Sequence, residues 1–160
     1  MSRKERRKLA KMAAKGGTAG QSAVFPATTT ALERQFNDSV AHFQAGRLKE
    51  AEAELSEIQR RQPDLSEVLH LMALIELQTG RPEAAAGHLE KAVARQPESA
   101  DLHNLLGGAL KRAGRLEEAV LAYDKAVSLG PELAEANYNL GNALKELRRF
   151  DDAVLSYRCA

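Results

Sequence analysis

The sequence predicts an all-α protein of about four helix-turn-helix repeats behind a basic flexible tail, and three observations lead to this fold class. Pro63, Pro97 and Pro131 stand 34 residues apart. A second series keeps the same period, with a Gly-Arg or Arg-Arg pair in each repeat and an alanine five residues after the start of that pair. Only 4% of the residues are aromatic, while Ala and Leu dominate the apolar ones. Such a composition is typical of helices packed closely over small side chains.

The first 28 residues differ in charge from the rest of the chain. Residues 1–20 hold seven basic residues and one acidic residue, a net charge of +6, so the remainder carries −5 of the total of +1. Lys8, Lys11 and Lys15 interrupt every apolar stretch there, which excludes a secretory signal. We expect residues 1–28 to be a basic tail and flexible linker, and residues 29–160 to be the folded domain.

Each repeat is predicted to form two amphipathic helices joined by a tight turn. In the third repeat, apolar residues recur at steps of three and four from Leu102 to Leu110, the pattern breaks at Gly114, and it resumes from Leu116 to Val127. Glycine at this break suits a left-handed helix C-cap, a conformation that costs other residues about 1 kcal/mol or more. Pro82, directly after a turn, suits the first position of a helix. The three prolines of the 34-residue series are expected to end each second helix.

The small and large residues of these repeats resemble a known family. The motifs are Leu106-Gly107-x-x-Leu110 with Ala119-x-x-x-Tyr123, and Leu140-Gly141-x-x-Leu144 with Ala153-x-x-x-Tyr157. They resemble the tetratricopeptide repeat (TPR). The resemblance assigns repeats to residues 29–62, 63–96, 97–130 and 131–160, the last of them truncated. It implies a right-handed TPR solenoid whose first helices line a concave groove that binds peptide segments of partner proteins.

A stripe at helical spacing along the predicted first helices supplies the candidate binding residues. The stripe is largely apolar in the first two repeats and polar to cationic in the last two, which suits a peptide with an apolar anchor and acceptor groups. The predicted peptide-binding groove consists of Phe36, Asn37, Leu71, Leu74, Asn104, Lys111, Arg112, Tyr138, Asn139, Asn142 and Lys145. For Leu71, Leu74 and Leu105 the alternative is burial between repeats.

One known groove of the family, the carboxylate clamp, is disfavoured by the residues at its positions. Those positions carry Phe36, Val40, Leu71, Asp101 and Leu105. None of these side chains binds a carboxylate, and Asp101 repels one. An adaptor for a chaperone's terminal carboxylate is therefore not expected.

Repeat four indicates a second possible function. Residues 137–146 and 153–160 resemble the repeats of O-linked N-acetylglucosamine (O-GlcNAc) transferases and their bacterial relatives, in which asparagines hold the backbone of an extended substrate. Asn37 and Asn139 occupy that groove position, but Leu71 and Leu105 stand between them. The first hypothesis is therefore a protein-protein interaction module, an adaptor or assembly scaffold. The alternative is the substrate-recruiting TPR segment of a larger glycosyltransferase with a catalytic domain beyond residue 160.

The sequence ends within the second helix of repeat four, before a capping helix. We therefore expect either a truncated piece of a longer polypeptide or a surface that pairs with something, including self-association through this repeat. The apolar residues expected to lose a neighbour are Leu140, Ala143, Leu144, Val154 and Tyr157.

The sequence shows no motif for catalysis, so we expect no enzymatic activity, cofactor or metal in these residues. Cys159 is the only cysteine, which excludes an intramolecular disulfide and indicates a reducing, cytoplasmic compartment. The longest apolar run, residues 71–75, is too short for a transmembrane segment. The basic tail could bind nucleic acid or an anionic membrane. A charged run without aromatic residues for stacking is more often a solvated tail, which we favour.

Overall fold

Helices follow the predicted 34-residue period through residues 30–160, the part of the chain that the computed structural model describes. The described residues contain no β-strand, so the predicted all-α fold class is confirmed. The predicted basic tail lies outside the described residues. The eight helices are α1 (Thr30–Gln44), α2 (Leu48–Arg61), α3 (Ser66–Gln78), α4 (Pro82–Arg95), α5 (Ala100–Arg112), α6 (Leu116–Leu129), α7 (Ala134–Glu146) and α8 (Phe150–Arg158).

The described residues divide into two compact units, the first ending at Pro63 and the second spanning Asp64–Ala160. In the first unit α1 packs on α2, where Leu55 and Ile58 are fully buried. In the second unit each helix packs on the next one along the chain, and α5 also contacts α7. The core of the second unit joins side chains from all six of its helices, among them Leu69, Leu89, Leu110, Tyr123, Leu144 and Ala153.

The turn between the two helices of each repeat has the predicted left-handed backbone. Gly46, Gly80 and Gly114 have φ angles of 76°, 77° and 81°. In repeat four the same position holds Arg148, with a φ of 60°. Because a Cβ crowds the backbone in this conformation, Arg148 costs roughly 1–2 kcal/mol that a glycine would not.

The prolines of the 34-residue series mark helix ends as predicted. The helices α2, α4 and α6 each end two residues before one of these prolines. A buried polar side chain six residues after the last two prolines then bonds to the proline's carbonyl oxygen. His103 Nε2 lies 2.9 Å from Pro97 O, and Asn137 Nδ2 donates to Pro131 O at 3.2 Å. These bonds satisfy a backbone acceptor at each entry to a first helix.

The exposed apolar residues of repeat four differ from the expected set. Leu140, Ala143 and Leu144 are buried, because α7 packs against both α6 and α8. The expectation that they lose a neighbour was therefore wrong. Val154 is exposed as expected, and Tyr157 is partly buried. The other exposed large apolar side chains at this end of the described chain are Leu121, Tyr138, Phe150 and Leu155.

Candidate functional site

The candidate binding surface lies on the first helices α3, α5 and α7, and we call it the first-helix face. The helices α5 and α7 contact each other. Arg112 on α5 donates through Nη2 to the backbone carbonyl oxygen of Leu77 on α3, at 2.7 Å. Predicted groove residues of repeats three and four therefore lie on adjacent helices. Phe36 and Asn37 lie on α1 in the other unit, where Phe36 is partly buried and Asn37 is exposed.

Two asparagines form a bridge across the first-helix face. Asn139 on α7 donates through Nδ2 to Asn104 Oδ1 on α5 at 3.0 Å. Asn104 in turn donates through Nδ2 to Glu135 Oε1 at 3.4 Å. Each amide has a second lone pair or a second N–H beyond these bonds. The pair is therefore held in one orientation while retaining capacity to bind a peptide group.

The third asparagine of the face is held by a residue that the sequence did not identify as part of the site. Tyr157 on α8 donates its hydroxyl to Asn142 Oδ1 at 2.8 Å. Its ring lies 5.8 Å from that of Tyr138, centroid to centroid, at an angle of 50°. Tyr138 itself is 56% exposed. Tyr157 thus orients the Asn142 amide by bonding to its oxygen. The Nδ2 group of Asn142 therefore stays available to donate to a ligand. The only sequence signal for this contact is the recurrence of tyrosine opposite a glycine in repeats three and four.

The three predicted cations are not equivalent. Lys111 Nζ lies 2.8 Å from Glu146 Oε1, so its charge is paired with α7. Arg112 is engaged with the Leu77 carbonyl. Lys145 is exposed and makes no ion pair with any described residue. Among these three side chains, Lys145 is therefore the cation most available to a bound carboxylate.

The two predicted leucine anchors also differ. Leu71 is 4% exposed and belongs to the protein interior, the alternative that the sequence left open. Leu74 and Leu105 are partly buried, so each presents some apolar surface. The apolar part of the first-helix face therefore consists of Leu74, Leu105 and the ring of Tyr138.

Charges on the second helices connect repeats two and three. Arg115 donates to both carboxylate oxygens of Glu118, at 2.7 and 2.6 Å, and lies 3.3 Å from Glu90 on α4. The hydrogen bond to Glu118 raises the pKa of Arg115, and the same bond lowers the pKa of Glu118. In the core, burial raises the pKa of Tyr123, and the charges of Glu135 and Glu146 add to the effect. Tyr123 is therefore held in its neutral form.

Within residues 30–160, no group of three or more His, Cys, Asp and Glu side chains is placed to hold a metal ion. No helix in that range is both long enough and apolar enough to span a membrane.

Helix pairs repeated every 34 residues and an amide-bearing first-helix face define an α-helical repeat protein of the kind that serves as a protein-interaction module. Two family models, both described as tetratricopeptide repeat, match residues 70–134 and 134–160. Together these matches span more than half of the sequence. The chain belongs to the tetratricopeptide repeat family.

Solved structures titled MamA share the fold. One, titled "Crystal structure of MamA", is 21% identical with a TM-score of 0.76, and the match covers 80% of this chain and 75% of that one. A MamA RS-1 double mutant is also 21% identical, with a TM-score of 0.77 and coverage of 96% and 80%. MamA 41-end from Desulfovibrio magneticus RS-1 is 20% identical, with a TM-score of 0.76 and coverage of 97% and 90%.

Identities this low establish the common fold alone. No curated protein matches the sequence. The relation of repeat four to O-GlcNAc transferases stays a prediction.

Proposed function

We propose that this protein is an adaptor or assembly scaffold that holds a peptide segment of a partner protein on its first-helix face. The observation that supports the proposal most strongly is the Asn139–Asn104 bridge of 3.0 Å between α5 and α7. An amide carries both a donor and an acceptor, so it can bond to the backbone of a peptide whatever its sequence. Prior fixation of the two amides also lowers the entropy cost of binding.

The surroundings of the bridge define the partner's chemistry. Tyr138, 56% exposed, and the partly buried Leu105 offer contact to an apolar side chain. Lys145 offers an unpaired positive charge to a carboxylate. We therefore expect an extended segment that carries an apolar residue and an acidic residue, and whose backbone groups bond to Asn139 and Asn142.

The test compares three forms of the chain as baits in native lysate, with the bound proteins quantified by mass spectrometry. The site variant combines Asn139→Ala, Asn142→Ala and Lys145→Ala. Its matched control combines Lys91→Ala, Glu117→Ala and Lys125→Ala, which are exposed on second helices and lower the net charge by the same single unit. Three lost polar contacts at about 1 kcal/mol each weaken binding roughly a hundredfold.

The expected result is loss of the wild-type partners from the site variant and their retention by the control. Circular dichroism of all three baits establishes that they are equally folded. Equal recovery of partners by the site variant and the wild type would contradict the proposal.

A further inference from the structure

A groove opens on the second-helix side of repeats three and four, away from the first-helix face. It lies between α6 and α8, has a volume of about 400 Å³, and has Leu140 and Leu144 of α7 among its lining residues. Both of these leucines are buried. Leu121 and Leu155, which also line it, are 70% and 60% exposed. The groove therefore offers leucine side chains to solvent, beside the polar residues Asp124, Arg149, Asp152 and Ser156.

The equivalent residues one repeat earlier show what this groove lacks. There Arg115 lies 3.3 Å from Glu90 and forms an ion pair with it. Thirty-four residues later Arg149 pairs with Asp152 at 2.7 Å, and both side chains line the groove. Asp124, the counterpart of Glu90, lines the groove and forms no ion pair or hydrogen bond with any residue of the described range. A groove with exposed leucines and an unpaired carboxylate fits an apolar side chain that has a cation beside it.

The same repeat exposes that combination. Phe150 is 59% exposed, and Arg148, two residues before it, is exposed and makes no ion pair within the part of the chain that the structure describes. Arg148 also has the positive φ of 60° that the other repeats give to glycine.

We propose that the chain forms a two-fold dimer in which Phe150 of each protomer enters the groove between α6 and α8 of its partner. Arg148 then pairs with Asp124 across the interface, and the two-fold axis repeats the contact. Four of the five exposed large apolar side chains of the described residues, namely Leu121, Phe150, Val154 and Leu155, lie in this region. A second copy covers them and supplies an ion-pair partner to Asp124, which Arg149 does not pair with.

Charge reversal tests the pairing, with the association constant of the full chain measured by sedimentation equilibrium between about 10 and 500 µM. Asp124→Arg places two cations opposite each other, and Arg148→Asp places two carboxylates opposite each other. Each reversal alone should weaken association at least about tenfold. In an equimolar mixture of the two variants, positions 124 and 148 of the mixed dimer carry opposite charges at both contacts, so association should return to near the wild-type level.

Two further variants separate binding from folding. Arg148→Gly removes the cation and relieves the backbone, so it should raise the thermal midpoint while weakening association. Lys91→Asp, an exposed charge on α4 changed by the same amount as Arg148→Asp, should leave association unchanged.

The proposal is overturned by a wild-type chain that stays monomeric over the whole range. It is equally overturned by reversals that do not weaken association, or by a mixture that fails to recover it. An Arg148→Gly variant that associates as tightly as the wild type would also overturn the pairing.

Discussion

Gly107 lies against the ring of Tyr123, so closely that a Cβ at residue 107 would stand 2.7 Å from the ring atoms Cδ1 and Cε1. The same arrangement recurs one repeat later, where a Cβ at Gly141 would stand 2.5 Å from Cε1 of Tyr157. At the equivalent positions repeat two has Ala73 and Leu89, and repeat one has Ser39 and Leu55. The two positions therefore vary together in size. Glycine stands opposite the large tyrosine ring in repeats three and four, and a larger residue stands opposite the smaller leucine in repeats one and two.

Substitution of Gly107 by alanine should lower the free energy of unfolding by about 1–3 kcal/mol, because the added methyl group overpacks the core against Tyr123. The measurement is urea unfolding followed by circular dichroism. The matched control is Gly87→Ala on α4. A Cβ there meets no atom within 4 Å, so this variant should be about 0.5–1 kcal/mol more stable than the wild type.

The double variant Gly107→Ala with Tyr123→Leu reproduces the Ala73 and Leu89 combination of repeat two. We expect its loss of stability to be smaller than the sum of the two single losses by about 1–2 kcal/mol, since leucine leaves room for the new methyl group. Strictly additive losses would show that residues 107 and 123 do not share this space.

Arg148→Gly should raise the free energy of unfolding by about 1 kcal/mol, because glycine has no Cβ to strain at a φ of 60°. Gly114→Ala, at a φ of 81°, should lower the free energy of unfolding by a similar amount. Chemical denaturation of the two variants beside the wild type measures both changes. A destabilised Arg148→Gly would mean that the arginine side chain contributes more to the fold than its backbone conformation costs.

Tyr123 should make the fold sensitive to alkali. Its pKa is raised by burial, and by the charges of Glu135 and Glu146, above the value of about 10 in the unfolded chain. The neutral phenol therefore contributes its full stability below about pH 10, and that contribution is lost as the pH rises above it. In Tyr123→Phe the free energy of unfolding should fall less steeply above about pH 10. Parallel alkaline slopes in the two proteins would contradict this role for Tyr123.

Glu118 should titrate below the usual range of a glutamate. Hydrogen bonds from Arg115 to both of its carboxylate oxygens lower its pKa. The stability that the bonds contribute is therefore present at neutral pH and lost as the pH falls through this lowered pKa. Carboxyl ¹³C chemical shifts recorded against pH measure the midpoint, which Arg115→Gln should raise. An unchanged Glu118 midpoint in that variant would show that Arg115 is not the cause.

Local signals in the sequence were sufficient for the helices and their ends. Apolar spacing predicts the helix pairs, Pro82 begins α4 as expected, and the turn glycines have positive φ angles. Each of these depends on the backbone and side chains of a few consecutive residues, which the sequence states directly. Even Arg148 follows, because its alignment with Gly46, Gly80 and Gly114 placed it in the same turn.

The candidate site could be predicted only in part. The sequence placed Asn104 and Asn139 on one stripe, and the structure joins them by a hydrogen bond across 35 positions of the chain. It could not distinguish Lys111 from Lys145, because only the position of Glu146 beside Lys111 decides which lysine is paired. Likewise, helical spacing alone does not separate the buried Leu71 from the partly exposed Leu74.

The sequence by itself thus determined the repeat, the class of fold and the residues that can face a partner, since these follow from periodicity and backbone preference. Only the tertiary structure decided which amides are held, which cation is unpaired and which apolar side chains stay exposed. Those properties depend on atoms of different helices, such as Tyr157 Oη and Asn142 Oδ1 at 2.8 Å, whose distance is set by packing and not by local sequence.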